Sequence, residues 1–144
     1  MTRELLGQAL VEEATRKSGL IWVAAPGSPA RALWHVWHEG AAWVVGDGPG
    51  EQPLPPLADG AAAEVTVRSK DKGGRLVSWT ARVVEPAVGS EAWRAAVAEL
   101  KGKRLNAPDA ETMPERWARE CRVLRLEPTG AVGALPDGSL AAAP

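Results

Sequence analysis

The residue types that most often carry chemistry are scarce in this chain of 144 residues. It contains two histidines, His35 and His38, and a single cysteine, Cys121. A catalytic set of nucleophile, histidine and acid needs a histidine held beside a serine or cysteine, and a metal site needs several ligands that converge on one point. The histidines are three positions apart in a stretch with strand character, so their side chains point to opposite faces and do not form one site. Cys121 lacks a partner for a disulfide or a multi-cysteine zinc site, and we expect a buried or bystander thiol.

Two groups of cations give a stronger signal. The first surrounds a glycine turn at residues 73–74, and the second follows a predicted helix. Arg and Lys supply charge-assisted donors, and glycine lets the backbone approach an anion closely, so both groups suit a phosphate or a carboxylate. They also suit a solvated hairpin tip and a helix end whose cations complement the helix dipole, and composition alone favours this second interpretation. The first group comprises the four cations Arg68, Lys70, Lys72 and Arg75, with Ser69 among them as a neutral hydrogen-bonding residue, and the second comprises Lys101, Lys103 and Arg104.

The aromatic residues are all tryptophan. The chain has seven Trp but no Phe and no Tyr, so most of the indoles must supply the large rings of the core. Trp34 and Trp37 lie in one predicted strand and face opposite sides, so at most one of them points into the core. The other must be covered by a helix, a second subunit or a flat aromatic ligand. We predict a homodimer that buries it.

Composition and charge exclude several classes of protein. Hydrophobic residues make up 45% and charged residues 24%, and the length suits one globular domain. A net charge of -1 argues against general binding of nucleic acid, which needs a basic excess. The sequence contains no apolar run near the roughly 20 residues that span a bilayer. Glutamates interrupt the apolar positions of residues 1–17, unlike in a signal peptide, so the expected compartment is the cytoplasm.

The periodicity of the sequence predicts a mainly β (α+β) domain over residues 1–128 and a flexible tail over 129–144. Six strands with tight connections indicate antiparallel neighbours that close into a small barrel. A long loop at 46–60, rich in Gly and Pro, is of the kind that is often functional. The predicted strands are 20–25, 31–38, 41–45, 61–69, 75–85 and 122–127. The predicted helices are 4–17, one capped by Ser90, and a short one that begins with a capping box at 112–115 and carries Trp117.

Four segments resemble the pyridoxamine 5'-phosphate oxidase-like family, the FMN-binding split barrels, and in particular its short actinobacterial type. They are GLIWVAAPGSPARALWHVWHEGAAWVVGDGPGEQPL, EVTVRSKDKGGRLVSWTARVVEP, SEAWRAAVAELKGKRLN and WARECRVLRLEP. The resemblance implies a six-stranded antiparallel split β-barrel with flanking helices, and a homodimer with cofactor sites at its interface. It implies FMN as cofactor, less often a deazaflavin coenzyme or haem.

The resemblance also assigns candidate cofactor-binding residues. The flavin ring would lie along residues 33–37, and thus against Trp34, His35, Val36 and Trp37. The loop after the third strand departs from the family because it lacks the usual Lys and Ser/Thr and has Glu51, with Gln52 as a neutral donor. The phosphate contacts would then come from Arg31, His35, Arg68, Ser69, Lys70, Lys72 and Arg75.

Three functions follow from these observations. The first is a flavin- or deazaflavin-dependent oxidoreductase, in which the cofactor carries the hydride chemistry and the sequence designates no catalytic side chain. The second is a binding module without turnover, for flavin or for haem with His35 or His38 as axial ligand. The third is a structural dimer that has lost its cofactor.

Overall fold

A computed structural model describes residues 3–69, 75–104 and 106–129 of the chain. Within them, seven strands form one antiparallel sheet in the order β2-β1-β5-β6-β7-β4-β3, and three helices pack against it. The strands are β1 Ile21–Ala24, β2 Arg31–Leu33, β3 Val36–His38, β4 Ala41–Gly46, β5 Ala62–Ser69, β6 Arg75–Val84 and β7 Arg122–Pro128. The helices are α1 Arg3–Lys17, α2 Glu91–Lys103 and α3 Met113–Glu120. The mainly β, antiparallel class that the sequence predicts is confirmed.

The prediction of six strands is wrong because the strand predicted over 31–38 is two strands. β2 pairs with β1 through Ile21 and Leu33, whereas β3 pairs with β4 through Val36 and Trp43. Trp34 and His35 lie between them and belong to neither ladder. The chain changes partner strand at this point, which a regular strand cannot do without a corner.

This break also closes the sheet. β2 and β3 are its two edge strands, yet only two residues separate them in the chain. Consecutive Cα atoms are about 3.8 Å apart, so the Cα atoms of Leu33 and Val36 lie within about 11 Å of each other. The sheet therefore curves until its edges nearly meet, as a split barrel requires.

Two apolar clusters fill the two sides of the sheet. The first includes Trp79 and lies between the sheet and α1, and the second includes Trp43 and Trp117 and lies beneath α2 and α3. Trp37 packs against the first cluster and Trp34 against the second, so the two indoles do face opposite sides. Both are half-buried.

The helix caps follow one prediction and contradict another. The Oγ of Ser90 accepts a hydrogen bond from the backbone N–H of Trp93 at 3.2 Å, which confirms the cap of α2. The capping box at the start of α3 does not form. The hydroxyl of Thr112 donates instead to the carbonyl of Asp109 at 3.4 Å, because this carbonyl belongs to the turn that leads into the helix.

Two predicted features lie outside the described residues: the glycine turn at 70–74, with Lys70 and Lys72, and the tail beyond residue 129. Among the helices that the structure does describe, none combines the length and the apolar character needed to cross a membrane.

Candidate functional site

The strand register brings the break and the basic hairpin to the same end of the sheet. β1 pairs Ile21 with Leu33 and Trp22 with Thr66. Leu33 is the last residue of β2 and Ile21 the first of β1, while Arg68 lies near the end of β5. The break after Leu33 and the base of the hairpin after β5 are therefore at one end of the sheet.

A cleft of about 520 Å³ lies at this end of the sheet. Its volume is within the range of small-molecule sites. The end of α1, the strand break, the 46–60 loop and the end of α2 each contribute to it. The residues that line it are Gly19, Trp34, Gly50, Glu51, Gln52, Lys103 and Arg104.

Gln52 holds the backbone of Trp34 in place. Its Oε1 accepts from the Trp34 N–H at 3.0 Å, and its Nε2 donates to the carbonyls of Trp34 and Val45, both at 3.1 Å. The side chain thus satisfies the backbone groups that the break leaves outside the ladders. The indole of Trp34 projects from a fixed backbone, and both amide hydrogens of Gln52 are used by the protein itself.

Glu51 is a buried carboxylate that ties the loop to α2 and α3. It accepts from Arg104 Nε at 3.0 Å, from Arg116 at 3.0 Å and from the indole N–H of Trp117 at 3.1 Å. The same guanidinium groups donate to loop carbonyls, Arg104 to that of Gly50 at 3.1 Å and Arg116 to that of Pro49 at 2.8 Å. Two cations therefore compensate the charge of Glu51, so it opposes a bound anion far less than an unpaired carboxylate would.

Arg116 has a second acidic partner, Asp109. Their closest contact is 2.6 Å, and this hydrogen bond lowers the pKa of Asp109 and raises that of Arg116. Arg116 thus joins the loop to the segment that precedes α3.

Lys103 is the cation of the cleft that remains available. Within the part of the chain that the structure describes, its ammonium group has no hydrogen-bond or ion-pair partner. Desolvation by partial burial lowers its pKa below the ordinary value. The lining holds two cations, Lys103 and Arg104, and one carboxylate, so its net charge is positive.

A second cleft, of about 390 Å³, lies on the other side of the break. Its aromatic wall is Trp37, which makes a T-shaped contact with Trp79 at 6.3 Å between ring centroids. Arg125 is its cation, but the guanidinium is already paired with Glu127 at 3.2 Å. The lining consists of Gln8, Val11, Glu12, Trp37, Gly40, Arg125, Glu127 and Pro128. With two carboxylates and one paired cation, this cleft suits an anion poorly.

His35 lies in the core rather than in either cleft. Its Nε2 is 2.7 Å from the carbonyl of Thr15 in α1 and donates to it, since a carbonyl can only accept. Its Nδ1 is buried without a partner among the described residues. Desolvation lowers the pKa of His35 to about 4, and the charge of Lys103 adds to this effect, although the bond to Thr15 opposes it.

The other predicted residues are spread around this end of the sheet. Val36 is buried in the second cluster, whereas Arg31, at the start of β2, and Arg68, on β5, are exposed. Ser69 and Arg75 pair across the base of the basic hairpin. Of the predicted cofactor-binding residues, Trp34 and Gln52 line the first cleft and Trp37 lines the second.

The structure adds two residues that the family resemblance did not assign to the cofactor, Lys103 and Arg104. The sequence feature that could have indicated them is the cation group at residues 101–104, which is far from the loop in sequence.

The thiol of Cys121 fits the expectation of a bystander, since burial raises its pKa to about 11. Among the described residues, no group of three or more His, Cys, Asp or Glu side chains is arranged to hold a metal ion.

The solved structures that are similar to this chain have low sequence identity to it. No family model and no curated protein matches the chain. Among solved structures it is similar to HutZ, the heme storage protein from Vibrio cholerae, with a TM-score of 0.55 at 12% identity over 88% of this chain and 94% of that one. The FAD and heme binding protein from Mycobacterium smegmatis gives a TM-score of 0.48 at 19% identity over 99% of this chain and 78% of that one. The chain therefore has the fold of HutZ.

Proposed function

We propose that this chain binds a flavin nucleotide, FMN in the first place, in the cleft beside Trp34. The observation that carries the proposal is a single juxtaposition. The half-buried indole of Trp34, whose backbone is held by Gln52, lies in the same cleft as the ammonium of Lys103, which has no hydrogen-bond or ion-pair partner among the described residues. A flat ring stacks on an indole, and a cation attracts a phosphate, so the pair suits a planar anion.

The fold supports a planar cofactor, because HutZ, which shares it, is named as a heme storage protein. Haem is accordingly the second candidate, with its propionates near Lys103 and Arg104. Iron also needs an axial ligand, and none of the described residues that line the cleft is His, Cys or Met. This chemistry favours a flavin over haem.

A bound flavin supplies hydride and electron transfer, and we propose an oxidoreductase on that basis. The protein's own part is to bind and orient. Trp34 would stack on the ring, Lys103 would attract the anionic group, and Gln52 would keep the Trp34 backbone in position. Glu51 keeps the loop and the end of α2 together around the cleft.

We also propose that two copies of the chain form a homodimer. Leu20, Trp22 and Leu76 are 44%, 40% and 44% exposed. They lie on one face of the sheet, on either side of Thr66 and Arg68 of β5. Leu20 directly follows Gly19, which lines the cleft. A partner that covers these three apolar side chains would therefore border the cofactor cleft.

Titration with FMN, the deazaflavin coenzyme and haemin tests the proposal. We expect saturable binding of FMN, and we expect Trp34→Leu to weaken it by roughly five- to tenfold through loss of ring stacking. Trp37→Leu is the matched control because its indole is also half-buried but lines the second cleft. Binding of none of the three ligands, or equal binding by Trp34→Leu and the wild type, would overturn the proposal. Haemin binding without FMN binding would select the second candidate.

A further inference from the structure

The loop at 46–60 holds no cation that a phosphate could use. Its charged residue at the cleft, Glu51, is an acid whose oxygens are taken by Arg104, Arg116 and the indole of Trp117. The guanidinium of Arg104 joins the end of α2 to the loop. Its Nε donates to the Glu51 carboxylate, and one terminal nitrogen donates to the carbonyl of Gly50. This arrangement brings the end of α2 against the loop.

Lys103 is the last residue of α2 and directly precedes Arg104. Because Arg104 is held by Glu51, the backbone at Lys103 is fixed at the wall of the cleft. Its ammonium group makes no hydrogen bond or ion pair with another described residue. Lys101 shares the last turn of α2 but does not line the cleft. The two lysines therefore differ in access to a ligand although they share the same helix dipole.

We propose that Lys103 binds the phosphate of the flavin nucleotide, with Glu51 and Arg104 as the residues that position it. This proposal rests on the function proposed above. The cation that the family places in the loop is replaced by one from the end of α2, and the acidic loop residue holds that helix end in place. A charge-assisted hydrogen bond of this kind is stronger than one between neutral groups.

Comparison of FMN with riboflavin, which lacks the phosphate, tests the assignment. We expect wild type to bind FMN at least tenfold more tightly than riboflavin, as is usual for a hydrogen bond to a charged group. Lys103→Met should reduce FMN affinity by about tenfold and leave riboflavin affinity unchanged. Lys101→Met is the matched control and should change neither. Lys103→Arg, which keeps the charge, should recover part of the FMN affinity.

The outcomes separate this inference from the proposed function. Equal binding of FMN and riboflavin by wild type, or an equal loss of both in Lys103→Met, overturns the role of Lys103 but leaves a flavin site. An equal effect of Lys101→Met overturns it too, since a general charge effect would then explain the result. Absence of binding for both flavins overturns the proposed function and this inference with it. Unchanged thermal unfolding of Lys103→Met confirms that the variant is folded.

Discussion

The carboxylate of Glu51 is the most heavily engaged side chain of the site. We expect Glu51→Gln to lower the free energy of unfolding by about 3 kcal/mol, because it leaves two largely buried guanidinium groups without their counter-charge. Urea denaturation at pH 7 measures this change.

Glu127→Gln is the matched control for Glu51→Gln. Glu127 also pairs with two arginines, Arg82 and Arg125, but its side chain is 32% exposed, and pairs of this kind contribute below about 1 kcal/mol. Equal losses in the two variants would contradict the structural role of Glu51.

His35 makes stability depend on pH. Its pKa is about 4 in the folded protein and 6.5 in the unfolded chain, so the unfolded state takes up a proton first as the pH falls. Stability is unaffected above pH 6.5 and declines as the pH falls through the window down to about 4. Between pH 7.5 and pH 5 this linkage amounts to about 2 kcal/mol.

The variant His35→Gln removes this titration and keeps a donor for the carbonyl of Thr15. Its free energy of unfolding should therefore fall by about 2 kcal/mol less than that of wild type between pH 7.5 and pH 5. Chemical denaturation at the two pH values gives both differences. Equal pH dependence in the two proteins would show that His35 is not the responsible group.

Sequence reasoning reached part of this site at the level of residues. It selected Trp34 and Gln52, and it recognised the cations at 101–104 as suited to an anion. It interpreted Glu51 only as a charge that would repel a phosphate. The arginines that compensate this charge, Arg104 and Arg116, are 53 and 65 positions away in the sequence. Local patterns carry no information about ion pairs across such separations.

At the scale of elements, the sequence predicted the helices and most strands to within a few residues. It missed the break at Trp34 and His35 because the run RALWHVWH contains no Gly or Pro that would indicate an interruption. The break exists because the two halves of this run pair with different strands, β2 with β1 and β3 with β4. Closure of the barrel determines which strand each half pairs with.

The packing of the loop against α3 depends on Gly48. A Cβ atom at this position would lie against the sulfur of Cys121 and 2.6 Å from the carbonyl oxygen of Glu120. We expect Gly48→Ala to lower the free energy of unfolding by about 2 kcal/mol, since backbone on one side and a packed thiol on the other leave little room to shift.

Gly102→Ala is the matched control for Gly48→Ala. Gly102 lies in α2, and an added Cβ there meets nothing within 4 Å. Alanine should instead stabilise the helix by about 0.5 kcal/mol. A neutral Gly48→Ala variant in thermal unfolding would contradict the tight approach of loop and helix.

At the scale of the whole molecule, the exposed face with Leu20, Trp22 and Leu76 predicts self-association. We expect sedimentation at micromolar concentration to give twice the chain mass of 15.2 kDa. Trp22→Glu should shift the protein to monomer because a charge in an apolar interface is poorly tolerated. Val88→Glu is the control, since Val88 is 58% exposed but lies outside the strands of that face. A monomeric wild type would contradict the dimer.

The most direct test of the central claim is the absorbance spectrum of the purified protein, followed by release of any chromophore by heat and its identification by mass. We predict a planar anionic cofactor with the spectrum and mass of a flavin nucleotide, at lower occupancy in Trp34→Leu but at wild-type occupancy in Trp37→Leu. A protein without a chromophore that also fails to bind added FMN or haemin would contradict the account.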